Sequence, residues 1–247
     1  MNKTLKKILI VIGLIVLALV IFVVVFFLKM KSEAKKMTPL DTKEVVSNIF
    51  SVKDVFVDLY LIKDSTQYIA VDAGNNADNV SAELKKLNID PSRVIAVFLT
   101  HSDGDHVAAL KLFTNASVYL SKQEEPMING EKPRFLLIKN KIYTKNYSLL
   151  EDQQVLHIGN ITIKGILTPG HTPGSMCYLV NNKYLFTGDA LGIKDGKVVP
   201  FNKSFNMDTK EAIQSISKIT NLPEAEYIFS AHHGYCDYKN GVKDWNK

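Results

Sequence analysis

The 247-residue chain has two cysteines, Cys177 and Cys236, 59 positions apart and without a C-x-x-C pair. That excludes a disulfide framework and a cysteine-rich zinc site. Arginine is equally scarce, two residues against 28 lysines, and no internal repeat or low-complexity tract is present. The P-loop, G-x-G-x-x-G and G-x-S-x-G patterns are all missing, so nucleotide-cradling and serine-nucleophile chemistries lose their usual signatures. A basic surface is missing too, despite a net charge of +5. Residues 1–36 carry seven lysines against one acid, Glu33; the other 23 basic and 24 acidic residues leave the remainder at −1. Nucleic acid is therefore not an expected partner.

What the chain does have is an apolar run. Residues 8–28 contain no polar side chain. As a helix rising about 1.5 Å per residue they would span roughly 30 Å, the thickness of a bilayer's hydrocarbon core. A secretory signal peptide would have a shorter apolar region ending in small residues; here the run meets Lys29 with no A-x-A pattern. The expected organisation is a basic tail at 1–7, a transmembrane helix at 8–28, a linker at 29–40 and one domain over 41–247. A basic tail resists translocation, which places the amino end in the cytoplasm and the domain outside the cell membrane.

Beyond residue 41 strands alternate with helices. Val55–Ile62, Gln67–Val71, Val94–Leu99, Ser117–Leu120, Ile158–Ile166, Met176–Val180, Tyr184–Thr187 and Tyr227–Ala231 read as strands. Residues 76–87 place Ala77, Val80, Leu84 and Leu87 on one helical face, and Asp105–Phe113 reads as a short helix. Asp208 and Glu211 resemble a capping box opening a helix that buries Ile213, Ile216 and Ile219. The fold class is α/β.

The chemistry-bearing residues follow these strands. Thr100-His101-Ser102-Asp103-Gly104-Asp105-His106 leaves the buried strand 94–99, offering four potential ligands in six positions. His171 sits in Pro169-Gly170-His171-Thr172-Pro173-Gly174, Asp189 in Thr187-Gly188-Asp189, and His232 and His233 in Ser230-Ala231-His232-His233-Gly234. One polar turn residue usually serves its own backbone. Four such turns, each leaving a strand, point instead to metal ligation. His157 has no carboxylate neighbour and reads as structural.

These motifs resemble the metallo-β-lactamase superfamily, whose signature H-x-H-x-D-H is followed by an isolated His, an Asp in a T-G-D turn and a late His. The resemblance spans about residues 43–240. It implies a four-layer αββα sandwich with a divalent metal centre of two ions, zinc favoured. Carried over, His101, Asp103 and His171 form a first site; Asp105, His106 and His232 form a second; Asp189 bridges them. His232 is preferred for the late position, with His233 the alternative. The resemblance further implies hydrolysis of an ester-like, thioester, lactone, amide or phosphodiester bond in a small-molecule substrate by a metal-bound hydroxide that Asp105 orients as the catalytic carboxylate.

One position departs from the signature: its second His is Asp103, giving H-x-D-x-D-H. A harder oxygen donor shifts preference towards iron or manganese. This raises an iron-dependent redox enzyme as one alternative and a non-catalytic metal-binding receptor module as another. The chain has no room for an electron-delivering domain or for the extra helical domain of glyoxalase II. Two loops are candidate pocket walls. Residues 132–145 carry Lys132, Arg134, Lys139, Lys141 and Lys145 with no acid, and residues 192–206 carry Val199, Phe201 and Phe205. The basic loop reads as a flap for anions or as a solvated hairpin face. Both cysteines read as buried, inert thiols.

Overall fold

A computed structural model of the chain describes residues 2–135, 138–144 and 146–245. It divides into two compact units, 1–37 and 38–247. In the first, helix α1 runs over Lys3–Ala34, capped by the Asn2 side chain, and buries no residue. It is longer at both ends than the apolar run, because neither Gly nor Pro stands beside the flanking lysines to stop it. By length and composition it can cross a membrane.

The second unit begins at Thr38, inside the expected linker: the Thr38 amide donates to the His232 carbonyl and the Leu40 amide to Asp58. Its first sheet holds seven strands in sequence order. They are β1 (Lys43–Val46), β2 (Ile49–Asp54), β3 (Val57–Asp64), β4 (Gln67–Val71), β5 (Val94–Phe98), β6 (Ser117–Ser121) and β7 (Tyr147–Leu150). The first four pair antiparallel and the rest parallel. The second sheet has six strands: β8 (Val155–Ile158), β9 (Ile161–Leu167), β10 (Met176–Val180), β11 (Tyr184–Phe186), β14 (Tyr227–Ser230) and β15 (Gly234–Asp237), ordered β15-β14-β11-β10-β9-β8. A hairpin of β12 (Leu191–Lys194) and β13 (Lys197–Pro200) stands apart.

Alternation along the strands makes the layers. In β3, Tyr60 and Ile62 face the second sheet, where they join Phe98, Met176, Tyr178, Phe186 and Phe229 in the central core. Leu59 and Leu61 face the other way, into a core with Val80 and Leu84 of α2 (Ala77–Lys86). In β10, Cys177 and Leu179 face outward, against Ile216 and Ile219 of α5 (Thr209–Ile219) and Tyr238 of α6 (Tyr238–Val242). Two further helices, α3 (Gly104–Val107) and α4 (Glu125–Ile128), are single turns. The architecture is the four-layer αββα sandwich. Strands buried on both faces read as continuous apolar runs, which is why the central ones are legible in the sequence.

Several local expectations change. The edge strands β1, β8 and β15 and the β12–β13 hairpin lie outside the expected strands, since half-exposed edges show weaker patterning; so does the interior strand β2, whose apolar pattern Ser51, Lys53 and Asp54 interrupt. Residues 105–113 split into α3 and a 3₁₀ turn at Leu110–Leu112. In α5, Asp208 caps the Glu211 amide as expected, but Ile213 is 43% exposed; Ala212 and Ser215 are buried instead. Both cysteines are free and buried, and burial pushes the Cys177 thiol up to about 12 and Cys236 to about 11.

Candidate metal centre

The polar turns that end β4, β5, β6, β9, β11 and β14 meet at one edge of the sandwich. Tight turns aim each ligand there. Gly170 has φ +133°, and a Cβ on it would collide with the Ala212 backbone at the start of α5. Gly188, at φ +51°, lies against the Thr100 side chain. Only glycine fits either place.

The structure brings all seven expected residues together. His101, Asp103 and His171 form one group, Asp105, His106 and His232 a second, and Asp189 lies with His101 and His106 in a third; within each group the donor atoms lie within 4.8 Å of one another. Around the second group the separations are 3.7 Å from Asp105 Oδ2 to His106 Nε2, 3.4 Å from Asp105 Oδ2 to His232 Nε2, 3.5 Å from Asp189 Oδ1 to His106 Nε2 and 3.1 Å from Asp189 Oδ1 to His232 Nε2. Four ligands at about 2.0–2.1 Å from a tetrahedral zinc stand about 3.3 Å apart. The Nε2 atoms of His101, His106 and His232 and Oδ1 of Asp189 are buried without a hydrogen-bond partner. Orphaned polar atoms on this scale are costly unless something binds them, and this donor set fits a divalent cation.

The neighbours fix the tautomers. His232 Nδ1 lies 2.7 Å from the Phe56 carbonyl oxygen, which can only accept, so Nδ1 carries the hydrogen and Nε2 keeps its lone pair for the centre. His233 lies outside the cluster, its ring edge-on to Phe201. The geometry therefore favours His232 for the late position. His106 Nδ1 is held 2.8 Å from Asp72, which also accepts from the Thr100 amide and hydroxyl.

The electrostatics are those of a cluster that attracts positive charge. Burial lowers the affinity of His106 for a proton, but Asp72, Asp105 and Asp189 raise it well above the ordinary value. Burial likewise opposes protonation of His232, and Asp189 and Asp105 outweigh it. Burial pushes the Asp189 carboxyl up, yet His232, His106 and His171 hold it well below the usual carboxylate range. A metal ion would displace these protons.

Two contributors, Asp72 and Glu124, escaped the sequence reading, and a third, Arg134, takes a different place from the one expected. Asp72 ends β4 at φ +63°, a conformation Asp tolerates better than most residues; its signal was an Asp leaving an apolar strand into Ala73-Gly74. Glu124 is buried and accepts from the Ser102 amide and hydroxyl, the Thr172 hydroxyl and the Gly174 amide, so it clamps the His101 and His171 turns together. Arg134, expected in a flap, is buried, its Nε 2.8 and 2.9 Å from the two Asp103 oxygens. Lys139 and Lys141 are exposed, and Lys145 lies outside the described residues. Phe201 packs beside His171 and His232, with Phe205 next to it. His157 is an exposed strand residue near Thr162.

The metallo-beta-lactamase superfamily pattern matches residues 52–232. The chain is 31% identical over 178 residues to a probable polyketide biosynthesis zinc-dependent hydrolase, BaeB, of Bacillus velezensis, covering 70% of this chain and 71% of that protein. It is 30% identical over 141 residues to a hydroxyacylglutathione hydrolase of Bartonella tribocorum, covering 55% of this chain and 47% of that protein. Among solved structures, a B3 metallo-β-lactamase with an active-site glutamic acid superposes with TM-score 0.67 at 19% identity, covering 87% of this chain and 89% of that one. Sequence match and layered fold agree: the chain belongs to the metallo-β-lactamase superfamily.

Proposed function

We propose that the chain is a membrane-anchored, metal-dependent hydrolase, with a thioester the first substrate class to test among ester-like, lactone, amide and phosphodiester bonds. The observation that carries this reading is the set of orphaned imidazole nitrogens and carboxylate oxygen converging at ligand spacing. A divalent ion, zinc favoured, would supply a Lewis acid and bring the pKa of water near neutrality. Asp105, His106 and His232 would hold it, with Asp189 reaching across to the His101, Asp103 and His171 side. Asp105 is the most exposed carboxylate of its group, so its second oxygen is placed to orient an attacking water. Asp72 holds the His106 ring, and Phe201 packs edge-on to the His171 ring and stacks on that of His232.

The thioester preference rests on the relatives: an acylglutathione is a thioester, and the hydroxyacylglutathione hydrolase is 30% identical to this chain over 141 residues. Zinc is preferred to iron because a relative is named as a zinc-dependent hydrolase, and because Asp103, the residue that raised iron, is paired with the Arg134 guanidinium. Anchoring rests on α1, whose apolar residues 8–28 are exposed on every side. The lysines before it keep the amino end in the cytoplasm and leave the domain outside.

The test uses the full chain in detergent, loaded with zinc and offered thioester, lactone, β-lactam and phosphodiester substrates. The expected result is thioester hydrolysis that a chelator abolishes and Asp105→Ala lowers by about 100-fold or more. Hydrolysis that survives metal removal would sink the proposal.

A further inference from the structure

The two halves of the metal centre are furnished differently. On the side of Asp105, His106, Asp189 and His232, three ligand atoms have no hydrogen-bond partner. On the other side every atom of Asp103 is taken. Its Oδ1 accepts from Arg134 Nε at 2.8 Å and Asn140 Nδ2 at 2.8 Å; its Oδ2 accepts from Arg134 Nε at 2.9 Å and lies 3.1 Å from His171 Nε2. The same guanidinium sets Nη2 3.2 Å from His171 Nε2 and donates from it to the Phe205 carbonyl at 2.6 Å. Of the first group, only His101 Nε2 is left without a partner.

Charge follows the same division. Arg134 sets its positive charge directly against the Asp103 carboxylate, so that carboxylate is already paired without an ion, whereas Asp105 and Asp189 face histidine nitrogens. A second dication at His171 would sit beside a buried guanidinium with little water between them, where like charges repel most strongly.

We infer that Arg134 is a built-in cation for the first site: the centre takes one divalent ion tightly, at Asp105, His106, Asp189 and His232, while the guanidinium holds Asp103 and His171 in place of a second. The departure of Asp103 from the family's histidine is then half of a pair. An imidazole there could not accept the guanidinium's charge; a carboxylate does. The inference rests on the metal-centre reading above and narrows its two-ion expectation to one tight ion.

The experiment is a zinc titration of the full metal-free chain in detergent, followed by isothermal calorimetry, with bound metal counted by elemental analysis after desalting. Wild type should bind one tight ion. His232→Ala should lose it and His171→Ala should keep it. Arg134→Gln, which removes the charge, should strengthen a second ion by about 10- to 100-fold, whereas Arg134→Lys, which keeps it, should not. Circular dichroism confirms that each variant is folded, and the wild-type count together with the His232/His171 contrast decides the matter if the Gln variant is not. Two ions of similar affinity in wild type, or loss of the tight ion in His171→Ala rather than His232→Ala, would overturn the role of Arg134 and leave the hydrolase reading standing. No bound zinc at any loading would overturn the hydrolase reading itself.

Discussion

Asp58 shows how single carboxylates near this centre are tuned. It is 1% exposed in β3, and its oxygens accept from the Leu40 amide and the Ser51 hydroxyl. Burial outweighs those bonds and raises its pKa from 3.8 to about 7. The folded state therefore holds the proton more tightly than the unfolded chain does, and stability from this group falls as pH rises between the two values. Compared with Asp58→Asn at the same metal loading, wild type should lose relative stability from pH 4 to 7, by at most about 1.4 kcal/mol per pH unit, then level off. Thermal melts of both proteins across that range provide the check; a difference rising with pH would contradict the burial argument. His232 and His233 are the other instructive case at this scale. They are adjacent in sequence, and the choice between them depends on a carbonyl at Phe56, 176 residues away.

At the scale of elements, the ligand turns are positioned by what lies behind them. Glu124, at the carboxyl end of β6, accepts four hydrogen bonds from the turns after β5 and β9. Replacing it by Ala would strand those donors in a buried place. The expected loss is roughly 2–4 kcal/mol in urea unfolding, with weaker zinc binding as the His101 and His171 turns loosen. A variant as stable as wild type, binding zinc equally well, would show that the turns hold themselves. The central strands were legible because β3, β5 and β10 are largely apolar on both faces; β1 and β15 were not, because edge strands carry mixed patterns that only their partners explain. In α5 the cap at Asp208 was readable from local spacing, whereas the exposure of Ile213 depended on how the helix rotates against the second sheet.

For the whole molecule, the charge and the apolar excess belong mostly to the first unit, and the chemistry to the second. If α1 spans the bilayer, the intact chain should resist an alkaline carbonate wash of membranes. Leu17→Lys with Val20→Lys should release it, since each charge near the bilayer centre costs about 2.5–3.5 kcal/mol on the insertion scale. A wild-type product that is soluble and begins near residue 29 would identify the segment as a cleaved signal instead.

Local spacing was enough to mark the long apolar helix, the α/β alternation and the seven His and Asp residues that cluster in space, because an apolar run and a strand followed by a tight His or Asp turn are short-range patterns. Tertiary structure alone decided the partners. Asp72 meets His106 across 34 positions, Arg134 meets Asp103 across 31, and Glu124 meets Thr172 across 48. Buried charges must find compensation wherever the fold brings it, and no periodicity in the sequence records where that will be. That is why a lysine-rich loop read as a flap contains the arginine that balances the centre's unusual aspartate.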